Sequence, residues 1–331
     1  MRILYLLGNG FDLQLGLKTK YEHFYEYYCS LPSKDNRIIS LKSQINQHII
    51  GGPKALHNID WSDLEMALGK YTEELESYED LRTVYLDVNN ALITYLKSQE
   101  ELLKVEEQFF SKLKTDLTLP EQYLSENGKL NYRMQILAEP ILIDILTFNY
   151  TRCVESIFGK GEIGASSKNY KTTIRDVLHI HGDLSMSNVL VGVNDSSQIV
   201  NESLREDINI QEMLIKPVTN DMLDVQRNQK YVDKIKSARI IVIYGASLGD
   251  SDKKWRDLLR QRLEAKNAYF LIFEHNEKIE TIYDRARIER SARKAFLSKL
   301  GIDESNNQYD NNIFVAVTKD MFHIDKPTLK L

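Results

Sequence analysis

A glycine turn follows the first apolar segment of the chain, at Gly8-Asn9-Gly10-Phe11-Asp12. Glycines at such a place let the backbone approach a phosphate, and a helix that follows would point its N–H groups at the negative charge. The third glycine of the dinucleotide-binding fingerprint is absent because a leucine stands in its place. The turn therefore indicates a phosphate site, and a tight strand-to-helix turn without a ligand is the alternative.

A second polar motif, Phe148-Asn149-Tyr150-Thr151, comes directly after another apolar run. In an open parallel sheet the carboxyl ends of the strands line the ligand crevice. A carboxamide at that place can donate and accept hydrogen bonds at once, which suits a ribose hydroxyl or a water molecule. We therefore expect Asn149 and Thr151 in a ligand site. The alternative is that one of them caps the next helix.

Two histidines stand near the end of a third apolar segment, in Leu178-His179-Ile180-His181-Gly182. Their two-residue spacing predicts that they share one face of a strand. Histidine is the side chain best suited to take up a proton near neutral pH, and Gly182 would allow a ligand to approach His181 closely. A packed structural role is the alternative for each histidine, and no third ligand for a metal is evident beside them.

The segment 244–252 combines the end of a strand, a glycine turn and the start of a helix. Gly245, Ser247 and the backbone amides around Leu248 could together hold a phosphate or a ribose. The same residues match Gly-x-Ser-x-Gly, the pattern of the nucleophile elbow in serine hydrolases. An ordinary turn, in which the polar residue at 250 or 251 caps the helix, is the third interpretation.

Two further polar patterns have structural explanations. Ser62 and Glu65 have the spacing of a capping box, so they predict a helix start, while Asp63 and Glu65 remain minor candidates for the site. Arginines alternate with Ile and Ala along 285–293, which is typical of a solvated helix face rather than of a phosphate or nucleic-acid surface.

Buried strands and amphipathic helices must position these motifs. Strands are predicted where short apolar runs end at turn residues, at 2–7, 141–147, 177–181, 189–193, 239–244, 269–274 and 312–317. Helices are predicted at 150–158, 218–237, 252–264 and 278–300, and a loop is predicted at 159–171. Strands that alternate with helices predict an α/β fold with a parallel sheet and helices on both faces.

The region between the first two strands follows a different pattern. Apolar residues recur there at three- and four-residue spacing along 38–49 and again along 81–109, as one face of a helix requires. We therefore predict a large all-helical insertion over residues 21–135, placed after the first strand. The predicted α/β domain consists of residues 1–20 and 136–331.

The composition excludes several classes of protein. The chain has 331 residues, of which 42% are hydrophobic, so it can bury a real core. Its net charge of −5 provides no global positive field, which argues against a nucleic-acid partner. Two cysteines cannot form a disulfide scaffold or a four-thiolate zinc site. Without a signal peptide or an apolar stretch of about 18 residues, we expect a cytoplasmic protein that needs no membrane and no metal.

The ordered set of motifs resembles the AbiH family of bacterial abortive-infection proteins. The resemblance begins at the glycine turn of Gly8 and Gly10, continues through the motifs at 61–65, 148–151, 181–182 and 244–252, and covers the chain to about residue 275. It implies a role in defence against bacteriophage, in which an infected cell is shut down before the phage matures. A homo-oligomer or a phage-derived trigger is the macromolecular partner that we consider.

The same motifs are similar to those of sirtuin-like NAD-binding domains, which implies a Rossmann-like core with NAD as substrate or ligand. Carried over, the resemblance assigns phosphate contacts to Gly8 and Gly10 and the nicotinamide ribose or a water to Asn149. It assigns contacts with the adenosine half of NAD to Gly245 and Ser247, and contact with the adenosine ribose to Glu274 or Asn276. The rest of the cofactor-binding set comes from the same motifs: Asn9, Phe11, Thr151, Gly182, Leu248 and Asp252. The zinc ribbon of sirtuin deacetylases is missing, so the resemblance does not extend to protein deacylation.

The resemblance implies hydrolysis of NAD at the nicotinamide–ribose bond. His181 would act as the base, Asn149 would orient the ribose or a water, and Asp12 would support the cationic transition state. One alternative is a module that senses NAD or ADP-ribose without turnover. Another is a serine hydrolase with Ser247 as the nucleophile and a downstream histidine, at 275 or 323, as the base.

Overall fold

One seven-stranded sheet forms the centre of the protein. The computed structural model describes residues 1–51, 59–185, 189–223, 225–275, 281–305 and 307–324. Within them the strands run in the order β3-β4-β2-β1-β5-β6-β7, and all neighbours are parallel except β3 and β4, which are antiparallel. Their bounds are β1 (Arg2–Leu7), β2 (Ile141–Thr147), β3 (Gly161–Ala165), β4 (Lys171–His179), β5 (Ile240–Tyr244), β6 (Tyr269–Glu274) and β7 (Ile313–Val317).

The strand predictions hold for the buried parallel strands and fail at the edge of the sheet. Five predicted strands are confirmed as β1, β2, β5, β6 and β7, to within one residue. The predicted strand 177–181 is the end of the longer β4, which stops at His179. The predicted strand 189–193 is wrong, because this segment makes only one isolated bridge, between Val193 and Ile215. The predicted loop 159–171 contains β3, whose glycines and exposed residues hide an edge strand from a search for apolar runs.

The helices lie mainly in two stretches of the chain. Between β1 and β2 lie α1 (Gly10–Gln14), α2 (Tyr21–Ser30), α3 (Asn36–Gly51), α4 (Leu64–Tyr71), α5 (Tyr78–Glu101), α6 (Glu107–Thr118) and α7 (Glu126–Gln135). The remainder are α8 (Cys153–Phe158), α9 (Glu202–Arg205), α10 (Ile208–Leu214), α11 (Lys216–Leu223), α12 (Val225–Ser237), α13 (Lys253–Glu264) and α14 (Ile282–Lys299). No helix within the described residues is long and apolar enough to cross a membrane.

Apolar side chains cover both faces of the sheet, as predicted. In β1, Tyr5 and Leu7 point into one buried cluster, and Leu4 and Leu6 point into the other, because successive strand residues face opposite sides. The first cluster includes residues of α6, α7 and α8, whereas the second includes residues of α12, α13 and α14. The sheet is therefore the middle layer of a three-layer α/β structure.

The helical region between β1 and β2 packs in two directions. Residues of α2, α3, α4 and α5 form a third cluster, together with the segment that runs from Leu184 to Ile215. Residues of α6 and α7 instead belong to the cluster on one face of the sheet. Within the described part of 21–135 the secondary structure is helical, as predicted. The division of the chain into two domains stays a prediction.

Two glycine turns meet at the carboxyl edge of the sheet, where the strand order reverses between β1 and β5. The amide of Gly10 donates a hydrogen bond to the carbonyl oxygen of Gly245 at 3.0 Å. A Cβ on Gly245 would lie 2.6 Å from the Cα of Gly10, and a Cβ on Gly8 would lie 2.4 Å from the Cα of Ala246. Gly245 also has a φ of +63°. Only glycine fits these places, because the two backbones are in direct contact.

We expect Gly245→Ala to lower the free energy of unfolding by about 2–5 kcal/mol, measured by urea denaturation. The loss combines the strain of a positive φ with the collision against Gly10. Gly301→Ala is the matched control, because Gly301 has a φ of +66° and its nearest neighbour would be a flexible arginine end at 3.4 Å. It should cost only about 1–2 kcal/mol. If the two variants lose the same free energy of unfolding, the backbone contact between Gly245 and Gly10 does not contribute to the loss.

Candidate active site at the carboxyl edge of the sheet

A cavity of about 630 Å³ opens where β1, β2 and β5 end. This volume is in the range of binding sites for small molecules and cofactors. The turns after β1, β2, β4 and β5 all contribute to its lining. The predicted site residues that line it are Gly8, Asn9, Gly10, Asp12, Asn149, Thr151, His181, Gly245, Ser247, Leu248 and Asp252. Segments that are far apart in the chain thus meet around one space.

Three predicted site residues do not line this cavity. Phe11 is fully buried and packs edge-to-face against Phe322 at 5.1 Å between ring centroids, because α1 turns this side chain into the core. Gly182 has a φ of +79° and allows the chain to turn directly after His181. Glu274 is exposed at the end of β6. Asn276 lies outside the described residues.

Asp12 holds two of the predicted polar residues in place. Its carboxylate accepts a hydrogen bond from Nδ2 of Asn149 at 3.0 Å and another from the hydroxyl of Thr151 at 2.5 Å. All three residues are buried. These contacts fix the orientation of the Asn149 amide, whose nitrogen faces Asp12. The expectation that Asn149 or Thr151 caps the next helix is wrong, since α8 begins after Arg152 without a side-chain cap.

Burial gives Asp12 unusual acid–base behaviour. It raises the pKa of the carboxyl from its ordinary 3.8 to about 6, although the hydrogen bonds from Thr151 and Asn149 act in the opposite direction. The desolvation of the charged form outweighs the two hydrogen bonds that stabilise it. Asp12 therefore titrates close to neutral pH, next to the amide that is predicted to orient the ribose or water.

His181 forms a hydrogen-bonded pair with an acidic residue from the turn after β5. Its Nε2 lies 3.1 Å from Oδ1 of Asp252, in the turn that precedes α13. Burial raises the pKa of Asp252, but Lys216 and His181 outweigh this effect and hold the pKa well below its usual range. An ionised Asp252 requires the proton on Nε2, so Nδ1 is the basic atom of the ring. Nδ1 is buried and has no hydrogen-bond partner among the described residues.

A buried lysine extends the pair into a network. Nζ of Lys216 lies 2.6 Å from Oε2 of Glu65 and 3.3 Å from Oδ1 of Asp252. The other oxygen of Glu65 accepts a hydrogen bond from the hydroxyl of Tyr150 at 3.1 Å. Burial lowers the pKa of Lys216, but the two carboxylates outweigh it and hold the pKa above its usual value. The network therefore joins α4, α11 and the turns after β2, β4 and β5.

Sequence reasoning missed Lys216 and underestimated the helical region. Lys216 begins α11 in a stretch without a motif, and its only signal is a proline directly after it. Tyr21, Glu22, Ser62, Asp63 and Glu65 line the cavity from the helical side. No sequence pattern shows which helix covers the sheet edge, because that depends on packing between distant segments.

The predicted helix start at Ser62 is wrong by one residue. Asp63 is the N-cap of α4, and its Oδ1 accepts hydrogen bonds from the amides of Glu65 and Met66. The Glu65 side chain is thereby free to reach Lys216 instead of closing a capping box. The expected cap of α13 at residue 250 or 251 is also wrong, since its N-cap is Asp252, which has no side-chain cap bond and pairs with His181.

The two histidines have different environments. His179 is the last residue of β4, and its Nδ1 lies 2.7 Å from the carbonyl oxygen of Asn149 while its Nε2 lies 2.9 Å from Glu155. Burial lowers the pKa of His179, but Glu155 outweighs it, so the pKa is raised. His179 does not line the cavity. The prediction of one shared histidine face is wrong because β4 ends before His181.

The turn after β5 differs from a hydrolase elbow. In that motif the nucleophilic serine occupies the strained position of the turn. Here the strained residue is Leu248, with a φ of +50°, and Ser247 is exposed beside it. Neither His275 nor His323 lines the cavity, although Ser247 does. The geometry thus favours a ligand contact for Ser247 over a nucleophilic role.

Carboxylates dominate the charge around the cavity. Its acidic lining residues are Asp12, Glu22, Asp63, Glu65 and Asp252, against Lys20 as the lining lysine. Across the described ranges, no group of three His, Cys, Asp or Glu side chains is arranged to hold a metal ion. The cavity therefore suits a ligand with a cationic part and with hydrogen-bonding groups that match its polar side chains.

A comparison with protein families identifies the chain. The model described as "Bacteriophage abortive infection AbiH" matches residues 4–274. The chain belongs to the AbiH family. The matched range contains the last four residues of β1, the strands β2 to β6 and the residues that line the cavity. The family supports a role in abortive infection, which is a defence against bacteriophage. No curated protein matches the sequence of this AbiH protein.

Asp12 makes the stability of this AbiH protein depend on pH. Its carboxyl loses a proton near pH 3.8 when unfolded and near pH 6 when folded. Between these values the folded state holds the proton more strongly, so the contribution of Asp12 to stability falls as the pH rises, by about 3 kcal/mol in total. We therefore expect the stability of Asp12→Asn, relative to the parent protein, to increase by up to this amount between about pH 4 and pH 7.

Urea denaturation of both proteins at the two pH values tests this expectation. Asp176→Asn is the control, because Lys234 and Lys230 outweigh the effect of burial and hold the pKa of Asp176 at about 2. Asp176 is thus ionised throughout this range in the folded state and mostly ionised in the unfolded state, so the stability of its variant relative to the parent should change by only about 0.3 kcal/mol. If the difference in stability between Asp12→Asn and the parent protein is the same at both pH values, the pKa of Asp12 is not raised in the folded protein.

Proposed function

We propose that this AbiH protein restricts phage by hydrolysing NAD at the nicotinamide–ribose bond. The observation that carries the proposal is the presence of Asn149 and His181 in one cavity with both glycine turns. An amide that can orient a hydroxyl and an imidazole whose Nδ1 has no hydrogen-bond partner among the described residues are the two groups that positioning and proton removal require. Depletion of NAD would then stop the growth of the infected cell.

The topology of the sheet supports a dinucleotide ligand. Without the antiparallel edge strand, the parallel strands run β4-β2-β1-β5-β6-β7. This is the order of doubly wound dinucleotide-binding folds when the parallel strands are numbered separately. Ligands of such sheets bind where the strand order reverses, and the cavity lies at that point, between the ends of β1 and β5. The resemblance to sirtuin-like domains is consistent with this arrangement and stays a prediction.

The proposed reaction breaks the bond between ribose C1′ and the nicotinamide nitrogen. The bonding electrons leave with neutral nicotinamide, and the ribose carbon becomes an oxocarbenium-like centre. A water molecule oriented by Asn149 attacks this carbon, and Nδ1 of His181 takes its proton. Asp252 holds the other ring nitrogen and stabilises the imidazolium that forms. The products are nicotinamide, ADP-ribose and a proton.

The charges of the cavity agree with this reaction. The nicotinamide ring of NAD is cationic, and positive charge moves to the ribose as the bond breaks. The carboxylate of Asp12, which is buried and lines the cavity, favours that charge. The pyrophosphate would lie against the two glycine turns, where the absence of Cβ atoms lets a ligand approach the backbone closely.

We expect His181→Gln and Asn149→Ala to lower nicotinamide release by about 100- to 10,000-fold, the usual cost of losing a general base or a positioning group. Nicotinamide and ADP-ribose are measured chromatographically with the purified protein, and NAD is measured in cells during phage infection. The matched controls are His275→Gln and Asn90→Ala, because both side chains are exposed and outside the cavity. These controls should retain the parent activity.

Three other outcomes have clear meanings. If both site variants deplete NAD and restrict growth as well as the parent does, the residue assignment is wrong. Tight NAD binding without nicotinamide release favours the sensor alternative, in which the ligand switches the helical region. Labelling of Ser247 by a fluorophosphonate probe, together with loss of activity in His275→Gln, would favour the serine hydrolase.

A further inference from the structure

We infer that Lys216 is a positioning residue for His181, and that its ammonium group, held between the carboxylates of Glu65 and Asp252, fixes the oxygen to which His181 hydrogen-bonds. Lys216 is only 3% exposed, and its Nζ lies 3.3 Å from the same Oδ1 of Asp252 that His181 contacts at 3.1 Å. One carboxylate oxygen is therefore shared between the lysine and the imidazole.

The charge balance of this network explains why a lysine is needed. Glu65 and Asp252 bring two negative charges into a nearly dry region, and an isolated buried carboxylate is strongly unfavourable. Without Lys216, His181 is the remaining ion-pair partner of the Asp252 carboxylate among the described residues, so the loss of the lysine charge favours a proton on its ring. An imidazolium cannot act as a base. Lys216 therefore supplies a positive charge that would otherwise fall to the His181 ring.

Other charged groups near His181 do not replace this lysine. Asp252, from the turn after β5, contacts His181 directly, and Lys216, from α11, contacts Asp252. Lys254, at the start of α13, lines a narrow gap together with His181 and Lys216. Asp12 and Asp63 line the main cavity. Of the two lysines, only Lys216 forms ion pairs with Glu65 and Asp252 within the described residues.

The network also connects the imidazole to the helical region. Glu65 belongs to α4, and its second oxygen accepts a hydrogen bond from Tyr150 in the turn after β2. Movement of α4 away from the sheet would separate Glu65 from Lys216 and alter the environment of Asp252. The activity readout of this inference rests on the proposed function, whereas the state of the His181 ring can be measured without any reaction.

Titration of His181 by ¹⁵N NMR of the imidazole nitrogens tests the inference. The signals are assigned by comparison with His181→Gln. In Lys216→Met, which keeps the length of the side chain but removes the charge, we expect the titration midpoint of His181 to rise by about one pH unit or more. Lys216→Arg keeps the charge and should keep the midpoint near that of the parent protein. An unchanged midpoint in Lys216→Met overturns the inference.

Lys234→Met is the matched control. Lys234 also lies between two carboxylates, at 2.6 Å from Asp144 and 2.7 Å from Asp176, but it does not line the cavity. Its loss should leave the His181 midpoint unchanged, even where it lowers stability. An equal rise in this control would show a general effect of removing a buried lysine and would also overturn the inference.

A second variant covers the case in which Lys216→Met does not fold. Glu65→Gln removes one negative charge and keeps the shape, so it should move the His181 midpoint downward, which is opposite to the effect of losing the lysine. A rise or no change in Glu65→Gln overturns the inference.

Nicotinamide release separates this inference from the proposed function. We expect Lys216→Met to lower kcat by about tenfold or more at neutral pH, to shift the pH profile upward, and to change KM little. If the parent protein releases no nicotinamide but the midpoints move as expected, the proposed function fails and the inference stands. If the parent is active and the midpoints do not move, the inference fails alone.

Discussion

Direct backbone contact between two turns determines the geometry of the cavity at the carboxyl edge of the sheet. The turn after β1 and the turn after β5 touch through Gly8, Gly10 and Gly245, where no Cβ atom fits. Because the contact lies where the strand order reverses, it brings peptide amides from both halves of the sheet to one edge. The cavity forms around this contact, so its geometry depends on residues that have no side chains.

The chemistry of the cavity depends on burial of a few charged groups. Asp12 is kept in a place where ionisation is costly, and it holds Asn149 and Thr151 by hydrogen bonds. At the Asp252 side of the cavity, the ammonium of Lys216 forms ion pairs with the carboxylates of Glu65 and Asp252. Both arrangements cost stability when considered alone, since desolvated charges are unfavourable. Their position at the open edge of the sheet is typical of functional sites, where shifted pKa values tend to cluster.

The helical region contributes to the site as well as to the fold. Residues of α2 and α4 form part of the cavity wall, and Glu65 belongs to the ion network. Sheet and helices therefore enclose the ligand space together, and the state of the helices affects the groups below them.

The sequence by itself determined the buried parallel strands, the helical character of the region after β1 and the motifs that line the cavity, because these depend on local apolar patterns and on glycines near strand ends. Asn149 and Asp12 were recognisable from their places after strands, whereas the hydrogen bond between them was not. Only the tertiary structure decided that β3 is an edge strand, that Phe11 belongs to the core, and that Lys216 joins Asp252 to Glu65. Such contacts join residues far apart in the chain, and no local periodicity or propensity encodes which distant segments will pack together.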